Sequence, residues 1–345
     1  MLWLLVLALR SSLLLAPAVA AVLSIAGCGS RPAAELPPAA EPPRAPTQTQ
    51  APAGDVFPVG NRPEGIVADA RTGLVAVGLR RPARLALVDG DRGRVVDRVS
   101  LPGAPRHLQL AGDGGPVLVP DEERDRLVQV SLGGRHPRGR VVADTPVGRQ
   151  PHDATPVAGG AVAVGAELGN ELQLVRDGRV VARRRIALQP GGLATLDEGR
   201  IVAVVAVKER VLELFDARTL RPLASAPAGV GPTHIACRPT LVCYVADTTG
   251  RAVLIFEWDG KELALKRRQY LSSEPYGMAL DAERQRLWVT LPRENRLVEL
   301  RAYRGSRTGR SFPTVEQPQT VAVDAGDGTV WVTGAAHGEL QRLRP

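Results

Sequence analysis

The stretch GRQPHDATP, residues 148–156, sets His152 beside Asp153. An imidazole next to a carboxylate can orient a general base or ligate a metal ion. Two other stretches repeat the setting. APRH (104–107) puts Arg106 and His107 directly after Pro105, and GPTH (231–234) puts Thr233 and His234 after Pro232. Three of the five histidines therefore follow a proline by one or two positions. Glu64, Tyr276 and Gln319, with Thr320 after it, follow Pro63, Pro275 and Pro318 in the same way. If one fold gathers these turns, Glu64, Arg106, His107, His152, Asp153, His234, Tyr276 and Gln319 form a polar ligand-binding set. Imidazoles from separate segments can also build an open metal site, which makes His107, His152 and His234 weak metal candidates. The alternative is architectural: polar residues at such turns cap loop carbonyls or line a wet channel. No required cofactor follows from the sequence. It contains no G-x-S-x-G, H-E-x-x-H or P-loop string. The Asp-Gly pairs in DGDRG and DAGDGT read as hairpin turns rather than calcium loops.

The prolines themselves reveal the elements that hold these residues. Pro63, Pro105, Pro151, Pro190, Pro232, Pro275 and Pro318 stand 39 to 46 residues apart. After each comes an alternating apolar run such as LVAVG (74–78) or VWVTG (330–334), then a second such as LALVD (85–89). A further strand-like run, for example RVVDRVSL (94–101), precedes the next proline. Alternation at period two, punctuated by Gly and Pro, disfavours helical repeats. Four short strands in a period of about 42 residues, seven times over, is the signature of an all-β, seven-bladed β-propeller. Too little chain follows Pro318 for four strands, and DVFPVG (55–60) fills the missing slot. The N-terminal strand is thus expected to complete the last blade and close the ring. In such a ring the seven turns surround one mouth of a central channel.

LWVT (287–290), VWVT (330–333) and CYVAD (243–247) resemble the repeats of the YVTN, YncE-like β-propeller family. The resemblance spans residues 55–345 and implies the propeller fold. It implies little about activity, because propellers host enzymes, binding modules and scaffolds alike.

The N-terminus places the chain. Residues 1–27 read as a lipoprotein signal peptide ending in IAG before Cys28, the lipidation site; the alternatives are an ordinary secretory signal or an uncleaved anchor. Residues 28–54, rich in Pro and Ala, cannot fold alone and read as a tether reaching up to ~80 Å if extended. The expected location is the extracytoplasmic face of the cell membrane, held there by lipid. In that oxidising setting Cys237 and Cys243, at positions that face each other across a hairpin in the following repeats, read as a disulfide; the alternative is two buried thiols. The net charge of +8 is spread without a basic stripe, which does not favour nucleic acid.

The sequence favours a non-catalytic scaffold whose partner is a protein or a small anionic ligand at the propeller face. The alternative is a propeller enzyme, lactonase- or lyase-like and possibly metal-assisted, with its site at the channel mouth. Such an enzyme needs several carboxylates or amides converging with the histidines, and the turns offer few. A third reading is an envelope sensor or assembly factor.

Overall fold

The computed structural model describes residues 36–133, 138–302 and 306–345. Residues 1–27, read from the sequence as a lipoprotein signal, and Cys28 lie outside the described residues. Seven four-stranded antiparallel sheets make up the fold. The first blade comprises Pro63–Asp69, Leu74–Arg80, Ala83–Asp89 and Arg94–Ser100, from the axis outwards. The other blades repeat it, with innermost strands Gln109–Leu110, Pro151–Pro156, Pro190–Leu196, Pro232–Cys237, Met278–Asp281 and Pro318–Val323. Among the described residues the only helical elements are two three-residue 3-10 turns, Asp197–Gly199 and Pro292–Glu294.

Period-two alternation explains why these sheets cannot stand alone. In the second strand of the fourth blade, Ile201, Ala203 and Val205 face the core shared with the fifth blade. Val202 and Val204 face the core shared with the third. Each blade is therefore apolar on both faces, and only its neighbours can cover it. Seven separate apolar clusters result, one per junction between blades. Trp331 belongs to the junction between the seventh and first blades, and Trp288 to that between the sixth and seventh.

The seventh junction depends on closure by the chain's N-terminal strand. Asp55–Pro58 pairs antiparallel with Glu339–Leu343, with Asp55 opposite Arg342 and Phe57 opposite Leu340. Arg342 fastens this seam. Its guanidinium donates to Asp55 (2.6 Å) and to the carbonyls of Gly90 and Asp91 in the first blade (2.8 Å each). It also lies over the rings of Phe57 and Trp331, 5.1 and 5.8 Å from their centroids.

Residues 36–54 contain no strand or helix, in keeping with their composition. They are not a free tether, however. Ala39 packs on the core between the fourth and fifth blades, Pro43 is buried, and Ala53 packs between the sixth and seventh. Prolines that prevent this segment from forming its own core do not prevent it from docking on another.

Arg342→Ala removes the donors from two backbone carbonyls at the seam. The ion pair adds little, because the Asp55 carboxylate is half exposed. The expected cost is about 2–3 kcal/mol of stability, read as a lower urea midpoint. An unchanged midpoint would show that the ring closes without this clamp.

Candidate functional site

In five blades the innermost strand begins at its anchor proline, and in all but the sixth that proline pairs with the second strand of its own blade. Pro63 faces Leu79, Pro105 faces Asp121 and Pro151 faces Ala166. Just after the proline the register shifts in five blades, for instance between Pro63 and Ile66 and between Pro232 and Ile235. A bulge breaks strand alternation, so two successive side chains can both turn to the axis. That is how His152 and Asp153 can both reach the axis.

Neighbouring blades approach one another closely at this level. A Cβ on Gly65 would strike the Arg106 carbonyl of the next blade, and one on Gly277 the Gln319 carbonyl. With glycine at position two of those turns, the remaining blades can project large side chains into the centre. The histidines of the second, third and fifth blades accordingly meet, although a wide channel would have held them apart. The His107 and His234 Nε2 atoms are 3.0 Å apart, and their ring centroids 4.6 Å. His107 meets His152 edge-on at 4.6 Å, and Tyr276 meets His234 edge-on at 4.4 Å.

Around the rings lies a closed set of charges. Arg106 contacts Glu64 (2.6 Å) and Glu122 (3.2 Å), and Arg80 contacts the same two carboxylates. Two cations alternate with two anions, so the set is neutral. Glu64 and Arg106, expected at a solvent-facing mouth, are largely buried, and so are His152 and Tyr276. The reason is that turns converging on a narrow axis cover one another. Gln319 is half-buried at the rim. Thr233 and Thr320 are buried and bond to Thr248 (2.7 Å) and Thr333 (2.8 Å), which fastens their turns to the second strands.

Protonation follows from these contacts. Burial and the adjacent Arg106 cation lower His152 to about 4, against the pull of Glu167. A neutral ring carrying its proton on Nδ1 satisfies both neighbours. It donates to Glu167 at 2.7 Å and turns the Nε2 lone pair to the Arg106 guanidinium, 3.4 Å away. Burial would raise Glu167, but hydrogen bonds from His152 and Gln189 and the Arg106 charge outweigh it and keep the carboxylate ionised. Burial, reinforced by His107, holds His234 well below the ordinary imidazole value. Burial likewise raises the Tyr276 phenol.

Asp153 lies on the other side of the rings, 3.7 Å from His107 Nδ1. Its oxygens accept hydrogen bonds from the Leu193 and Ala154 amides (2.8 Å each) and from Gln109 (3.0 Å). It ties the second, third and fourth blades together. Among the described residues no group of three His, Cys, Asp or Glu side chains is placed to hold a metal ion. For His152 the obstacle is visible: Glu167 takes one nitrogen, and a guanidinium that would repel a cation faces the other.

Beyond the rings the channel opens into a cavity of about 400 Å³. His107, His234, Gln109 and Asp153 form its polar end, and Ile66, Leu108, Leu193, Ile235 and Val321 its apolar walls. It runs to the far ends of the innermost strands at Pro156, Thr195 and Cys237. Cys237 is opposite Cys243 across the hairpin and bonded to it.

Arg80, Glu122, Glu167, Gln109 and Gln189 were not among the sequence candidates. Three of them share a simple signal. Arg80, Glu122 and Glu167 each stand one residue past the strand partner of an anchor proline. The residue before the proline is a second signal: Gln150, Gln189 and Gln317 adopt left-handed φ (52°, 61° and 58°). Gln150 and Gln189 both reach Glu167.

No family model matches the sequence, and no curated protein does. Solved propellers resemble the fold. Hydrazine synthase of Kuenenia stuttgartiensis superposes with a TM-score of 0.70 at 14% identity, covering 82% of this chain and 96% of its own. The Cps50 (Swd1) β-propeller domain of Myceliophteria thermophila gives 0.69 at 13%, with 84% and 97% covered. A streptogramin B lyase gives 0.68 at 12%, with 84% and 96% covered. At such identities the likeness establishes the fold alone.

Two buried neutral histidines make the fold acid-sensitive. The unfolded chain takes up protons near pH 6.5, while folded His152 does so only near 4 and His234 also resists. Stability therefore falls as pH drops from about 6.5 towards 4, by roughly 1 kcal/mol per pH unit for each histidine. His152→Gln and His234→Gln should each flatten this slope in urea titrations between those limits. Equal slopes in both variants and the parent would show that neither ring is held neutral.

Proposed function

We propose that this chain is an extracytoplasmic, lipid-anchored, YncE-like propeller that binds a small neutral ligand in its channel without chemically changing it. The observation that carries the reading is the channel cavity of about 400 Å³, with His107, His234, Gln109 and Asp153 at its inner end and a wall of aliphatic residues and threonines. A pocket of that size and lining suits an amphiphilic small molecule. Its charge follows from the inner end. Arg106 is neutralised by Glu64 and Glu122, Asp153 is engaged by two backbone amides, and His234 is neutral. No uncompensated positive charge awaits a ligand, which argues against the small anionic ligand expected from the sequence. It also moves the site from the anchor-loop mouth to the far side of the histidines.

Carboxylates and amides do converge with the histidines, as an enzyme would require. They are spent on one another, which supports binding over catalysis. A lyase- or lactonase-like role is the second reading, favoured by the neutral His234 beside a cavity large enough for a substrate.

Calorimetric titration with neutral lactones, and with the corresponding hydroxy-carboxylates, tests both. Lactones should bind unchanged, the carboxylates should not, and Leu193→Trp, which fills the cavity, should weaken binding at least about tenfold. Sustained ring-opening that is lost in His234→Ala would establish the enzymatic reading. Preference for the carboxylates would overturn the neutral-ligand assignment.

A further inference from the structure

The docked N-terminal segment behaves as a ligand of its own domain. Gln317 reads its backbone from both sides of the amide: Nε2 donates to the Pro43 carbonyl (2.9 Å), and Oε1 accepts from the Ala45 amide (2.8 Å). Asn295 donates to the Pro46 carbonyl (2.8 Å), while its Oδ1 accepts from the Gln317 amide (3.1 Å) and so fixes the clasp. Gln48 donates its backbone amide to Glu316 (3.0 Å) and its side-chain amide to the Thr314 carbonyl (2.8 Å). Arg296 donates to Gln50 (3.1 Å). These contacts come from the sixth and seventh blades on the anchor-loop face.

The occupant suits this mode of recognition. Pro42, Pro43 and Pro46 favour extended polyproline II, which has no internal hydrogen bonds and loses little entropy on docking. Its carbonyls project outwards, and two of them are the ones that Gln317 and Asn295 bind. Upstream, Ala39 packs between the fourth and fifth blades, and Glu41 lies near enough to Tyr276 to disfavour its ionised form. The segment thus passes the anchor-loop mouth before it enters the groove.

We infer that the anchor-loop face between the sixth and seventh blades is a groove for extended, proline-rich peptides, and that residues 43–50 are its resident occupant in cis. It is separate from the channel cavity and does not depend on the function proposed for that cavity.

The test uses the chain with residues 41–50 replaced by a Gly-Ser segment of equal length, which leaves every strand intact. The probe is a fluorescein-labelled peptide of residues 38–51, read by anisotropy. It should bind the replaced chain and bind the parent at least about 100-fold more weakly, because a tethered segment competes at millimolar effective concentration. Gln317→Ala in the replaced chain should weaken the peptide about tenfold or more. No binding to a replaced chain with parental circular dichroism, or equal binding to both chains, would overturn the inference. A second measurement covers a replaced chain that does not fold. Trypsin should cut the parent after Arg44 slowly and Gln317→Ala at least about tenfold faster; equal rates would also overturn it.

Discussion

Seven sheets meeting edge-on around one axis leave almost no space where their innermost strands begin. There the backbones of neighbouring blades come so close that Gly65 and Gly277 have no room for a methyl group. Everything at the centre follows from that crowding. The large side chains that meet there form a partition. One side faces the anchor loops and the other a cavity.

A partition made of ionisable groups must pair or hydrogen-bond its charges, because an isolated charge loses several kcal/mol of hydration when buried. Arg80 and Arg106 alternate with Glu64 and Glu122. His152 gives up its charge and keeps its hydrogen bond to Glu167. Asp153 spends its oxygens on backbone amides from two blades. Chemistry-bearing residue types are therefore concentrated where they serve architecture first. What reaches the cavity from this set is hydrogen-bonding capacity without a positive charge.

The blades were legible in the sequence because a propeller repeats one simple requirement. A sheet covered on both faces needs uninterrupted apolar alternation, and each turn needs its proline. The ring, its seven blades and the use of DVFP to finish the last one follow from that pattern. The site was legible only in part. His107, His152 and His234 stood out by type, but whether they met depended on channel width, which three-dimensional closure sets. Glu122 and Glu167 come from the ends of second strands and carry no local mark until the anchor's strand partner is known. Burial inverted the picture at Arg106 and Glu64, since polar turn residues look solvent-facing until seven turns share one axis. Residues 36–54 misled in the opposite sense. A composition unable to fold alone says nothing about docking on a neighbouring surface.

The strand Asp55–Pro58 is synthesised before any of its blade-mates and pairs with Glu339–Leu343, near the end of the chain. Six junctions between blades can form in order as the polypeptide emerges, each on the one before. The seventh waits until Glu339–Leu343 has been added. Until then the two unmatched faces of an open horseshoe are sticky surfaces that another molecule can reach. Timing during biosynthesis, more than final stability, is then where a defect in this seam would be felt first.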